Sequence, residues 1–390
     1  MKPATTYPER RDDVRLLVID PTAPEAPAGA ALRETRTPAL PDFLAAGDLL
    51  VVNDAATVPA SLRGHDDAGN AIEARLIAAR GDDRFSAVLL GAGDWHQRTE
   101  DRPPPVALPV GARLQFSREP SEGSRTLPRW YAPSKARRLP TRHGTLTAEI
   151  AARAPSSPRL VELRFAAGGD ALWAALYREG RPVQYSYLAH DLPLWAVQTV
   201  YAARPWAFEM PSAGRPLSWE ILLALRRKGV RWASLTHAAG LSSTGDPAID
   251  AALPLAERYE IPAATVRAVT ETRARGGRVV AVGTTVVRAL EGATAKDGGL
   301  RPGPGETDLI ITPAFRPRVV SGILSGAHAA HESHFSLLAA FAGPDLLTAA
   351  AAHAERAGFL THELGDSMLV LPGALAAAPK TRRSASGNAP

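Results

Sequence analysis

Residues 277–291, Gly277-Arg278-Val279-Val280-Ala281-Val282-Gly283-Thr284-Thr285-Val286-Val287-Arg288-Ala289-Leu290-Glu291, decide the fold. Val279 to Val282 is an unbroken apolar run, the pattern of a strand buried on both faces. Gly283 ends it without a Cβ. Thr284 or Thr285 is expected to cap the helix that carries Arg288 and Glu291. Strand, glycine, two hydroxyls and a helix N-terminus offer N–H groups to an anionic or polar ligand. There are too few glycines for a dinucleotide loop and no Gly-Lys-Ser/Thr for a phosphate loop. Read alone, the stretch is an ordinary βα turn; it gains meaning from its neighbours.

On both sides of it the chain has an α/β rhythm. Residues 14–20 and 49–52 read as strands, the second ending at Asn53-Asp54, with a short helix expected at Pro41 to Ala46. Ser218 is placed to cap a helix over 219–228 that ends in Arg226-Arg227-Lys228 before Gly229, cations at the negative end and glycine at C′. A strand follows at Val230 to Leu235. Pro262 is expected at N1 of a helix running to about Arg275. Residues 308–312, 319–324 and 368–371 read as strands, and 333–342 and 345–357 as helices. Alternating units of this kind imply a mostly parallel sheet covered on both faces.

Between Gly64 and about Phe165 the texture changes. Short β-like runs at 72–78, 84–90, 112–116, 145–150 and 159–165 are separated by Gly, Pro and charge, the pattern of a small barrel or sandwich. The predicted organisation is an α/β domain over 1–63 and 166–373, a β-barrel-like domain inserted at 64–165, and a disordered tail at 374–390. Residues 118–142 carry seven Lys/Arg with Trp130 and Tyr131 among them. Arg129, Trp130, Lys135, Arg137 and Arg138 there can hold RNA phosphates and stack on bases, or form a solvated, proline-rich loop.

The 390 residues are 45% hydrophobic and 22% charged, ordinary for a globular chain. Without cysteine there are no disulfides, thiolate nucleophiles or cysteine metal sites, which agrees with a cytoplasmic address. No signal peptide is read at Met1 to Arg11, and no apolar run approaches a membrane span. A net charge of +5 permits an anionic partner without demanding one.

Several segments, in order, resemble one family, the S-adenosylmethionine:tRNA ribosyltransferase-isomerases of queuosine synthesis. They are Pro8-Glu9-Arg10, Gly47 to Asp54 with Val58-Pro59-Ala60, Gln198 to Tyr201, Pro211-Ser212-Ala213-Gly214, Tyr259 to Pro262, and the opening Ala281-Val282-Gly283-Thr284-Thr285 with Arg288. His328, Phe341-Ala342-Gly343 and Gly365-Asp366 complete the series. The resemblance implies transfer and isomerisation of the ribosyl part of S-adenosylmethionine onto a 7-aminomethyl-7-deazaguanine base in tRNA, releasing adenine and methionine. S-adenosylmethionine is then a substrate, tRNA a partner, and no metal is expected.

Under that resemblance His328, His331, Glu332 and His237 are the proton-transfer candidates. His331-Glu332 is equally a helix N-terminal turn. Asp54 holds a ribose hydroxyl or caps its turn. Gly283, Thr284 and Thr285 hold the methionine carboxylate with Arg288 behind them, or Arg288 pairs with Glu291 on the helix surface. Gln198 and Tyr201 reach the substrate or, for Tyr201, join the core. Asp366 belongs to a turn closing the pocket.

The sequence also departs from the family pattern. Asn-Asn-Thr-Arg becomes Asn53-Asp54-Ala55-Ala56, losing an arginine. Pro-Thr-Ala-Gly-Leu-His-Phe becomes Pro211-Ser212-Ala213-Gly214-Arg215-Pro216-Leu217, losing a histidine. His-Ser-Glu-Tyr becomes Ala256-Glu257-Arg258-Tyr259. These losses leave two alternatives: an enzyme using S-adenosylmethionine on a different small acceptor, or a non-catalytic homologue that binds nucleoside or RNA.

Overall fold

The computed structural model describes residues 1–23, 31–118, 146–155, 157–241, 244–250, 255–294, 299–328 and 333–377. Its main body is a nine-stranded sheet in the order Gly303–Thr307, Glu257–Ile261, Arg231–His237, Leu49–Asn53, Val279–Val282, Gly322–Gly326, Ser367–Val370, Arg15–Ile19, Leu32–Arg36. The four strands from Arg231–His237 to Gly322–Gly326 run parallel. Outside them the pairs are antiparallel except for Ser367–Val370 with Arg15–Ile19. The sheet is therefore mixed, which corrects the expectation of a mostly parallel one. The two inner strands of the parallel part, Leu49–Asn53 and Val279–Val282, are apolar runs buried on both faces.

Successive residues of these strands feed two cores, as the two-residue period requires. Leu49, Val51, Val279, Ala281 and Ile323 face Val286, Val287 and Leu290 of the Thr284–Gly292 helix. Leu50, Val52, Val280, Val282 and Leu324 face Ile221, Leu222 and Leu225 of the Trp219–Arg227 helix. That second helix starts as expected: the Ser218 hydroxyl accepts from the Ile221 amide at 3.4 Å.

Several local expectations are corrected. The turn near Pro41 is a 3₁₀ helix at Thr37–Phe43. Pro262 is the N-cap, with the helix at Ala263–Ala274. Residues 308–312 are not a strand, which lies instead at Gly303–Thr307. The carbonyls of Thr307 and Leu309 are taken by Arg288, and Ile310 is exposed. Residues 319 and 320 are not in the Gly322–Gly326 strand, because the Glu291 carboxylate accepts both of their amides at 2.9 Å. The expected tail begins with a helix at Ala374–Ala377, tied down by the Asp20 carboxylate through the Gly373 and Leu375 amides.

A closed six-stranded barrel occupies the region where a barrel or sandwich was expected. Its strands are Ser61–Asp66, Ala71–Ala79, Arg84–Leu90, Arg113–Phe116, Leu146–Arg153 and Leu160–Phe165. The first crosses the expected boundary at residue 64. Leu172, Ala175 and Leu176 of the Gly169–Glu179 helix pack into the barrel core. Among the described residues no single helix is long and apolar enough to cross a membrane.

Candidate active site

Four parallel strands deliver their carboxyl ends to one edge of the sheet, where an open α/β sheet places ligands. Register puts Val51 beside Ala281 and Ala281 beside Ile323. Asn53, Gly283 and Ser325, each two residues further on, therefore lie in one row, with Leu235 opposite Asn53.

Asn53 ties the row together. Its carboxamide accepts from the His237 amide at 2.9 Å, donates to the His237 carbonyl at 3.0 Å, and reaches the Thr285 hydroxyl at 3.4 Å. Next to it, Asp54 accepts from the Thr236 hydroxyl at 2.6 Å. Gly283 has φ +88° and ψ 157° and is itself the N-cap of the helix, so neither Thr284 nor Thr285 caps it. Both threonines are half-buried. A Cβ on Gly283 would lie 3.4 Å from the Ala213 methyl carbon. The Pro211-Ser212-Ala213-Gly214 turn is thus packed against the opening glycine. Gly214 in turn leaves room for Tyr201, whose hydroxyl would lie 2.1 Å from a Cβ there.

His328 follows the Gly322–Gly326 strand. Its Nε2 is 3.1 Å from the Ser325 hydroxyl, and its ring stacks on His334 at 4.8 Å. The Ala327 amide donates to the Asp366 carbonyl at 2.7 Å, while the Asp366 carboxylate accepts from the Arg15 and Leu360 amides at 2.9 and 2.8 Å. Asp366 therefore brackets the strand that leads to His328, and both its carboxylate oxygens are engaged by backbone.

Arg288 is also committed. It is buried, pairs with Glu257, and donates to the Leu309 and Thr307 carbonyls at 3.0 and 3.3 Å. A surface pair with Glu291 is ruled out, since Glu291 accepts from the amides of residues 318–320. Glu257, whose importance the sequence did not signal beyond its place in a rewritten motif, is the acid that pairs with Arg288 beside His237. Burial pushes its carboxyl above the usual range, with Arg288 opposing. Its second oxygen accepts from the Gly240 amide at 2.8 Å. His237 Nε2 stands 3.6 Å from Glu257, outside hydrogen-bond reach, and neither ring nitrogen has a partner among the described residues. Burial, and then the charge of Arg288, push His237 down to about 3. The imidazole is neutral at physiological pH.

Gln198 exchanges two bonds with the Thr57 backbone, at 2.9 and 2.8 Å, which fixes its carboxamide. The Tyr201 hydroxyl and the Thr199 hydroxyl are buried without a hydrogen-bond partner among the described residues. Burial raises the Tyr201 phenol, so it stays a neutral donor. His331 and Glu332 lie outside the described residues, as do Arg129, Trp130, Lys135, Arg137 and Arg138.

Residues 2–370 match the family model described as queuosine biosynthesis protein. The S-adenosylmethionine:tRNA ribosyltransferase-isomerase of Gloeobacter violaceus is 33% identical over 94% of this chain and 91% of its own length. That of Thermus thermophilus is 34% identical over 93% of this chain and 94% of its own. The crystal structure of an S-adenosylmethionine tRNA ribosyltransferase from Thermotoga maritima is 23% identical, with 95% of this chain and 96% of that chain covered and a TM-score of 0.48.

Proposed function

This chain belongs to the queuosine biosynthesis protein family, and on that premise we propose that it is an S-adenosylmethionine-dependent tRNA ribosyltransferase-isomerase. Its reaction would join the ribosyl part of S-adenosylmethionine to the aminomethyl group of a 7-deazaguanine base in tRNA, with release of adenine and methionine. The observation that carries this reading is the Asn53–Gly283–Ser325 row, flanked by buried polar atoms of Tyr201, Thr199 and His237 that lack partners among the described residues. Buried polar groups are nearly always satisfied, so these mark a place for a polar ligand.

In this reading the amides after Gly283, with Thr284 and Thr285, receive the methionine carboxylate at the helix N-terminus. Asp54 takes a ribose hydroxyl. The sulfonium acidifies the adjacent C5′–H, and His328, held by Ser325, removes that proton. His237, neutral and dry, offers a hydrogen bond to the departing adenine without carrying a charge. Arg288 and Glu257 act one layer back, paired beside His237. Closure of the crevice keeps water from the opened sugar.

The test is to incubate the protein with S-adenosylmethionine and a tRNA carrying the aminomethyl base, and to follow adenine by chromatography. Adenine release that depends on this tRNA is expected. Release with a small amine but not with tRNA selects the different-acceptor alternative, and no release with either removes the enzymatic reading.

A further inference from the structure

One cluster beside the strand-end row combines exposed aromatic surface with two arginines that make no ion pair among the described residues. The Leu194–Val197 turn carries Trp195, whose side chain is 59% exposed. Its ring meets Tyr7 edge-on, 5.5 Å between centroids. The Arg215 guanidinium lies over the Tyr7 ring at 5.9 Å, and its Nε donates to the Ala196 carbonyl at 2.8 Å. Arg11 donates to the Gln198 carbonyl at 3.0 Å. The Arg11 charge acts on Arg215, so the two guanidinia lie within electrostatic reach of each other.

These cations are poorly compensated. Arg215 is 3% exposed. Burial, and then the charge of Arg11, push it down to about 10, with Tyr7 opposing. Asp12, next to Arg11, turns instead to Arg10 and to the Ser218 hydroxyl, at 3.3 and 3.0 Å. Among the described residues no carboxylate pairs with Arg11 or Arg215. A buried cation without a partner is costly.

We propose that Tyr7, Arg11 and Trp195, with the buried charge of Arg215 beneath them, form a docking surface for a nucleotide of the RNA substrate, with a backbone phosphate drawn to the two guanidinia and an unstacked base on Trp195. The proposal rests on the tRNA reading above. Cations beside an exposed aromatic ring fit single-stranded nucleic acid, because phosphate and base are then held together. The position fits too. Arg215 directly follows Gly214, which packs on Tyr201, and Ala213 touches Gly283. A nucleotide held here borders the crevice that would take the target base.

The experiment measures binding of an unmodified tRNA transcript by fluorescence anisotropy over a range of salt, for the wild-type chain, Trp195→Ala and Arg215→Leu. Trp195→Ala, on the surface, is expected to weaken binding by about 5- to 150-fold, the range of one lost stack. Arg215→Leu is expected to lower the salt slope by about one. Calorimetric affinity for S-adenosylmethionine should stay the same in both. If the wild-type chain binds tRNA and both variants bind it equally well, the docking surface is overturned and the tRNA reading stands. If the wild-type chain does not bind tRNA, that reading fails and takes the docking surface with it. Loss of S-adenosylmethionine affinity in Arg215→Leu with tRNA binding intact overturns the surface by assigning the cations to the methionine carboxylate.

Discussion

His237 is fully buried, faces a carboxylate it cannot reach, and is held neutral by its surroundings. The unfolded chain's histidine takes up a proton near pH 6.5, whereas the folded one refuses it until about pH 3. Because the folded pKa is depressed, the associated stability is fully present above pH 6.5 and is lost as pH falls toward 3. Urea midpoints measured at about pH 7.5 and about pH 5 should drop in the wild-type chain and drop less in His237→Gln, whose side chain does not titrate. An equal drop in both would mean that His237 is protonated normally in the fold. At this scale the sequence was partly legible. Asn53, His237, Gly283 and His328 sit at strand ends that the apolar runs mark. The bonds made by Arg288 and Asp366 were not legible. Their partners, Glu257 and the Arg15 and Leu360 amides, are 31, 351 and 6 residues away, and no local pattern links them.

Among the elements, the turn from Val279–Val282 into Thr284–Gly292 positions the most. Gly283 at φ +88° and ψ 157° occupies a region open essentially to glycine alone. Gly283→Ala should cost about 1–3 kcal/mol in urea denaturation, and should weaken S-adenosylmethionine binding because the first helical amides shift. Unchanged stability would show that the turn relaxes freely. The strand and helix around this glycine follow from apolar run and breaker residues. Two other apolar runs misled for one shared reason. Residues 308–312 and 319–320 look like strands, but their backbone groups, or those just before them, are taken by Arg288 and Glu291, both on the Thr284–Gly292 helix. Side chains of one helix thus override strand propensity beside two strands of the sheet, one at its edge and one inside it. The polar edge strands Leu32–Arg36 and Gly303–Thr307 gave no apolar signal, so the mixed character of the sheet was hidden.

The whole molecule is held together partly by charge buried against the outer face of the barrel, since Glu73 and Arg75 alternate with the core-facing Ile72, Ala74 and Leu76. Glu73 accepts from Ser61 at 2.9 Å, from Arg75 at 2.8 Å and from Arg102 at 2.7 Å, and all three charged groups are buried. Burial would raise the Glu73 carboxyl, but Arg75 and Arg102 more than offset it and hold it at about 2. Arg75 also reaches Thr99 and the Gln184 carbonyl, so the cluster ties the barrel to the chain that returns to the main sheet. Glu73→Gln leaves two buried guanidinia without a counter-charge and should cost about 3–5 kcal/mol, read from the urea midpoint; a loss under about 1 kcal/mol would imply that water reaches the cluster. The barrel itself was legible from its spaced short strands. The ion cluster on its outer face was not, because Glu73 and Arg75 look like any other charged residues in a β-like run.

The account depends on a nucleoside sitting in the row formed by Asn53, Gly283 and Ser325. A crystal structure with S-adenosylmethionine tests this most directly. The account predicts the methionine carboxylate at the amides after Gly283 and C5′ facing His328. A nucleoside bound away from this row, or one whose C5′ turns from His328, would contradict it.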